Sequence, residues 1–269
     1  MRPKVTFAFL SPEIASSRLR MLIPQQELAK SGIEIGRDML VYGKHVVTQD
    51  QASKYDFRIY DVCDDHFHTQ HEKYYRFHCG WADVVTVNSP VMAEIVRIET
   101  GREAVIIPDP YESDEQTAGM GNGVLWFGHE SNLKSIDPYI GMIDRILTHP
   151  EWTREKQLEA LKECAIVVIP TDDRQGKSAN RLIESVRNGR FVVAGELPAH
   201  DEFKPFMWIG NIQDGIEWAK THKAECIERV EACQDYIREK YSPATIGKMW
   251  FDLLEQLWQS RAIQNLKAP

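Results

Sequence analysis

The sequence predicts an α/β protein of two Rossmann-like halves, and three observations carry that reading. Short apolar runs rich in β-branched residues, such as 5–10 and Phe57–Val62, recur between helical patterns. Strand–helix–strand spacing of this kind belongs to parallel βαβ units. One polar stretch, 110–122 (PYESDEQTAGMGN), interrupts the alternation, which then restarts. At 269 residues the chain has room for two such halves.

Residues 5–10 read as a buried first strand rather than a signal peptide, because the apolar part is short and ends at Pro12 and Glu13. Ser16-Ser17 open a helical stretch that Gly32 stops and Pro24 kinks or breaks. Phe57–Val62 is the next strand, followed by a polar, His-rich segment over 64–79. Val84–Val87 is a strand, and Asn88-Ser89-Pro90 starts a helix through Met92, Ile95 and Val96 to Gly101. Residues 104–107 form another strand. Beyond the polar stretch come a strand at Val124–Phe127, helices over 136–147 and 155–163, a strand at 165–169, a helix over 179–187 and a strand at Phe191–Ala194. No strand is read between Leu147 and Glu155. Ser242-Pro243 supply an N-cap and a first-turn proline for a last helix, whose apolar face is Ile246, Met249, Trp250, Leu253, Leu254, Leu257 and Trp258. The expected division is a first domain over 1–112, a linker over 113–122, a second domain over 123–241 and a C-terminal helix over 242–269 that packs back across them.

Composition narrows the function. The net charge is −8, with 13 basic against 18 acidic residues over 1–118 and 19 against 22 in the remainder. Neither half is basic, which argues against nucleic-acid binding driven by bulk charge. No Lys/Arg block suggests a membrane surface, and no apolar run approaches the roughly 18–20 residues of a membrane span. The five cysteines form no Cys-x-x-Cys pair, which fits reduced thiols and a cytoplasmic location.

The run GKSANRLIESVRNGRFVVAGELPAHDEF, residues 176–203, resembles the donor-binding helix of nucleotide-sugar glycosyltransferases with the GT-B fold, family-four type. WFGHESNLKS (126–135) is similar to the family's first strand of the C-terminal domain, its Gly turn and the Lys that follows. SSRLRM (16–21) and YDVCDDHF (60–67) resemble the corresponding N-domain loops. The resemblance implies a compact GT-B transferase that moves a hexosyl or pentosyl group from a UDP- or GDP-type donor to an acceptor hydroxyl, with retention. It implies a donor site in the second half and an acceptor site in the first, and no cofactor beyond the nucleotide sugar.

Glu184 and Asn180 share a helix face, and the resemblance assigns Glu184 the ribose hydroxyls. The family's companion Glu, eight positions earlier, is Gly176 here, with Lys177 beside it. Lys177, Ser178, Asn180 and Arg181 at the start of that helix suit a diphosphate, since a helix N-terminus carries free N–H groups and positive potential. Gly128, His129 and Lys134 complete the expected donor set. By resemblance Lys134 meets the leaving phosphate, and His129 stands where relatives have Arg. These cations can neutralise developing charge without a metal. In the first half, Arg18 and Arg20 are candidate acceptor contacts just after a strand, where α/β sheets bind ligands. Asp64, Asp65 and His66 follow another strand, with Asp65 and His66 as candidate catalytic groups. The spacing of His66, His68, His71, His78, Cys63 and Cys79 matches neither a zinc finger nor His-Glu-x-x-His, so no metal is expected.

The acceptor is open among glycan, lipid-linked and modified-DNA classes. A transferase acting on hydroxymethylated bases of phage-type DNA would need a basic groove around Arg18, Arg20, Lys44, Arg76 and Arg97. A non-catalytic nucleotide-sugar-binding protein is the reading from another class, suggested by Gly176 and His129.

Overall fold

A computed structural model describes residues 2–44, 47–171 and 176–267. The chain runs through β1 (Lys4–Ala8), α1 (Ala15–Ser17), a π-helical turn (Arg18–Leu22), α2 (Ile23–Lys30), β2 (Glu34–Gly43), α3 (Gln49–Ala52) and β3 (Phe57–Val62). It continues through α4 (Glu72–Trp81), β4 (Val84–Val87), α5 (Pro90–Thr100), β5 (Ala104–Ile106), β6 (Val124–Phe127), a 3-10 helix (Glu130–Met142) and β7 (Arg145–Leu147). Next are α6 (Arg154–Glu163), β8 (Ile166–Ile169), α7 (Asn180–Arg187), β9 (Phe191–Ala194), a second 3-10 helix (Pro198–Phe203), β10 (Trp208–Ile209), α8 (Ile212–Thr221), α9 (Lys223–Tyr241) and α10 (Pro243–Lys267). Residues up to Glu112 and from Lys240 onward form one compact unit, and Ser113–Glu239 form the other.

In the first unit five parallel strands lie in the order β1-β2-β3-β4-β5. Alternating side chains send Leu40, Tyr42, Tyr60, Val62 and Val85 to one face, where they meet Ala52, Tyr75, Cys79, Met92 and Val96 from α3, α4 and α5. The opposite face, with Val5, Phe7, Met39, Val41 and Ile59, is covered by Leu28 of α2 and by Ile246, Trp250 and Leu254 of α10. Trp250 meets Phe7 edge-on, with ring centroids 5.6 Å apart. The Ser242 hydroxyl accepts from the Thr245 N–H at 3.0 Å, capping α10 as its sequence predicts.

The second unit is a parallel sheet in the order β10-β9-β8-β6-β7. Its winding reverses between β6 and β8, the kind of place where doubly wound sheets bind ligands beyond the carboxyl ends of the strands. Every residue of β6, β8 and β9 is buried, which is why these strands read as unbroken apolar runs. The polar stretch after Glu112 has no regular structure but is fastened down. Arg187 donates to the Ser113 carbonyl, Arg190 to the Gly119 carbonyl at 2.7 Å, and Gln234 to the Gln116 carbonyl at 2.8 Å. Gly189, in the left-handed region at φ 75°, comes so close that a Cβ there would lie 2.2 Å from the Thr117 carbonyl oxygen.

Two local readings are corrected and two hold. The helix expected over 136–147 is a 3-10 helix ending at Met142 followed by β7, because Pro138 cannot donate an α-helical hydrogen bond and residues 145–147 pair with β6. Among the described residues no strand lies between Leu147 and Glu155, as the sequence predicts; β7 precedes that interval. β2 went unread because its first half is polar, while Met39–Gly43 is inserted between β1 and β3. The break at Pro24 is real: the π-helical turn precedes it, and Pro24 lies in the first turn of α2.

The π turn delivers Arg20 into the interior, where it is 1% exposed. Its guanidinium pairs with Asp61 at 2.6 and 3.0 Å and with Asp109 at 3.1 Å, and it donates to the Ile107 carbonyl. Thr86 adds a 2.7 Å bond to Asp61, and Asn88 reaches Asp109. Burial opposes the charge on Arg20, and the Asp61 carboxylate more than offsets that effect. Arg20 is therefore a buried ion-pair hub rather than an exposed arginine after β1. Removing one partner of such a buried network leaves the others uncompensated, so Arg20→Met should lower unfolding stability by about 3–5 kcal/mol in urea titrations followed by circular dichroism.

Candidate functional site

The second unit gathers most of the expected donor residues at the carboxyl ends of its strands. Gly128 ends β6 and turns the chain. A Cβ there would sit 3.1 Å from an Arg181 guanidinium nitrogen, and Arg181 donates to the Phe127 carbonyl at 3.2 Å. Lys177 donates to the Asn132 side chain at 3.1 Å, and the Asn132 N–H bonds back to the His129 carbonyl at 2.9 Å. Gly128, His129, Lys177 and Arg181 thus form one cluster around the β6 turn. His129 Nδ1 accepts from the Ser131 N–H at 3.2 Å, so its neutral ring carries the proton on Nε2 and can donate there.

α7 starts at Asn180, so Ser178 precedes the helix rather than forming its first turn. Glu184, one turn on, is 9% exposed and accepts from the Ser113 hydroxyl. Lys134 stands apart from the cluster. It is exposed and lines an open groove of roughly 640 Å³ with Tyr139, Pro170, Thr171, Gly195 and Glu196, at the ends of β8 and β9.

Sequence reasoning missed His200, which supports this groove from below. It is 2% exposed, and its Nδ1 lies 2.9 Å from the Gly195 carbonyl, so Nδ1 must carry the proton. The signal was present in LPAHDEF but carries no spacing that marks a buried imidazole.

In the first unit the carboxyl ends of β1, β2 and β3 enclose a small chamber of about 20 Å³ lined by Ser16, Ser17, Arg20, Lys44, Asp61 and Cys63. Asp64 lies beside it and pairs with Lys44 at 3.0 Å. Asp65 accepts from the Phe67 N–H at 3.1 Å, a local turn bond. His66 is half-buried against Tyr75, ring centroids 5.1 Å apart, and burial pushes its pKa down, so it is neutral at pH 7. Arg18 does not project freely toward a ligand. It forks onto Glu112 at 2.7 and 3.0 Å and donates to the Pro12 and Glu13 carbonyls. The histidines of this segment turn to separate partners: His68 to Glu99 and His78 to Tyr42.

No protein-family model and no curated protein sequence matches the chain. Solved structures do. A TarM variant from S. aureus, solved with fondaparinux, α-GlcNAc-glycerol and UDP, superposes with a TM-score of 0.61 at 14% identity over 80% of this chain and 55% of its own. AviGT4, a glycosyltransferase of avilamycin A biosynthesis, gives 0.60 at 12% identity over 96% of this chain and 98% of its own. Anabaena HepE in complex with UDP and glucose gives 0.60 at 12% identity over 91% and 84%. The chain spans a little over half the length of TarM. These likenesses establish the fold, which is that of the GT-B glycosyltransferases, and the two parallel sheets are its two Rossmann-like halves.

Burial pushes the His200 pKa below the ordinary value of 6.5, an effect the bond to Gly195 only partly opposes. The folded state then binds the proton less readily than the unfolded chain. Stability present above pH 6.5 is lost as the pH falls through the lowered folded value. His200→Asn keeps a donor for Gly195 but does not titrate, so melting curves between about pH 7.5 and about pH 5 should show a shallower acid slope than the parent. Equal slopes would remove the buried neutral imidazole from the account.

Proposed function

We propose that the chain is a nucleotide-sugar-dependent glycosyltransferase whose donor is held by the second unit. The observation that carries this reading is the cluster of Lys177, Arg181 and His129 around Gly128, at the reversal of a parallel sheet. A diphosphate leaving group develops negative charge as the bond to the sugar's C1 breaks, and these groups with Lys134 offer donors to meet it. That supply of positive charge supports transfer without a metal. Glu184, on α7 behind the cluster, is suited to accept from the ribose hydroxyls. Retention at C1 follows from the family resemblance alone.

The acceptor belongs to the first unit in this reading. The acceptor oxygen bonds to C1 as the diphosphate departs, and its proton must pass to a base. His66, neutral at pH 7, and Asp65 are proposed to serve that end. The modified-DNA reading loses its physical support. All five cations it relied on are paired: Arg18 with Glu112, Arg20 with Asp61 and Asp109, Lys44 with Asp64, Arg76 with Glu72 and Glu99, and Arg97 with Glu94. No helix among the described residues is long and apolar enough to cross a membrane.

Titration calorimetry with UDP and GDP tests the donor site. Glu184→Ala should weaken the better-binding nucleotide by about 1.5–3 kcal/mol, roughly ten- to a hundredfold, while the fold persists. An unchanged dissociation constant would contradict the role given to Glu184. Treatment with EDTA should leave nucleotide release from the donor unchanged, and a loss restored by zinc or magnesium would falsify metal independence. Tight nucleotide binding with no turnover on any acceptor would instead favour a binding protein that has lost its chemistry.

A further inference from the structure

Lys44 is held in an unusual conformation at the ligand edge of the first unit. It follows the last residue of β2 and has φ 51°, the only non-glycine residue with positive φ among those described. The approach to it is tight. Gly43 pairs with Asp61 across the sheet, and a Cβ at Gly43 would lie 2.6 Å from the Asp61 carbonyl oxygen. A lysine gains nothing locally from a left-handed backbone, which glycine or asparagine adopts more readily. Strained residues of this kind gather at functional sites, where the surrounding structure holds them in place. A π-helical turn, itself frequent at such sites, forms the opposite wall of the same chamber.

The strained turn aims the side chain. The Lys44 side chain is 26% exposed, its ammonium lies 3.0 Å from Asp64, and it lines the chamber with Ser16, Asp61 and Cys63 beside the apolar Phe9, Leu10 and Met21. At about 20 Å³ the chamber admits one water-sized group. The charge around it discriminates between ligands. The two cations that line it are both matched by carboxylates, Arg20 by Asp61 and Asp109 and Lys44 by Asp64. An anion would have to displace Asp64. A hydroxyl meets no such barrier, since it can accept from the ammonium and donate to the carboxylate at once.

We propose that Lys44, with Asp64, grips one hydroxyl of an uncharged acceptor and so fixes which hydroxyl is presented for glycosylation. The proposal rests on the glycosyltransferase reading above. Its consequence is a preference for neutral polyhydroxyl acceptors over phosphorylated or polyanionic ones.

The test compares the parent with Lys44→Gly and Lys44→Arg. UDP-glucose and GDP-mannose serve as donors, neutral methyl glycosides and glycosyl phosphates as acceptor probes. Lys44→Gly relieves the backbone strain, so its melting temperature should hold or rise, and its affinity for UDP or GDP should match the parent. Its KM for the neutral glycoside should rise at least about tenfold, with partial recovery in Lys44→Arg. An unchanged KM in Lys44→Gly overturns the proposal. So does a preference for glycosyl phosphates, or nucleotide binding without turnover of any neutral glycoside, and in these cases the donor reading stands. If neither UDP nor GDP binds the parent protein, the donor reading fails and the acceptor assignment fails with it.

Discussion

The first unit depends on a buried positive charge. Arg20 cannot be left in an apolar interior without carboxylates, and those it finds come from distant parts of the chain, Asp61 at the end of β3 and Asp109 beyond β5. Thr86 and Asn88 at the end of β4 are drawn into the same network, and Trp250 of α10 lies 6.0 Å below the guanidinium. One side chain thus registers the turn after β1, three strand ends and the last helix. The π turn has its reason here. An extra residue per turn rotates Arg20 inward and leaves Arg18 at the rim with Glu112.

That hub also sets the character of the edge above it. Gly43, with no Cβ, lets the Asp61 carbonyl come close, and the chain leaves β2 through the left-handed turn at Lys44. The second unit divides its cations along α7. Its arginines at the end of α7 and beyond, Arg187 and Arg190, hold backbone carbonyls of the polar segment 113–119, so structural work falls to one end of the helix. Lys177 and Arg181, at the other end, reach the β6 turn through the Asn132 side chain and the Phe127 carbonyl.

The readability of the sequence follows the same physics. β6, β8 and β9 were legible because two-sided burial demands unbroken apolar runs, and β3 and β4 because β-branched and aromatic residues dominate them. β2 was not, since residues 35–38 bulge out of the pairing with β1 and are free to be polar, and β7 was hidden behind a proline-containing 3-10 helix. Among candidate site residues, Gly128 lies at the β6 turn close to the Arg181 guanidinium, while Glu184 is buried and accepts from the Ser113 hydroxyl. Arg18 and Arg20 were indistinguishable in sequence, because an α-helix and a π turn send residues two apart to different places and nothing in SSRLRM announces which will form. Lys44 could not stand out, since positive φ leaves no mark on the residue type when tertiary structure imposes it.

Charge bears on how one acidic chain could manage the two ligands proposed for it. A nucleotide sugar brings two phosphates, and a site for it in a chain of net charge −8 needs local cations. An acceptor hydroxyl brings no charge, and free cations near it would recruit anions that compete for the edge. Pairing each cation with a carboxylate removes that competition while keeping directional donors and acceptors in place. On the proposed reading, the ion pairs of the first unit would serve specificity as well as stability, by keeping anions from the edge that takes the acceptor hydroxyl.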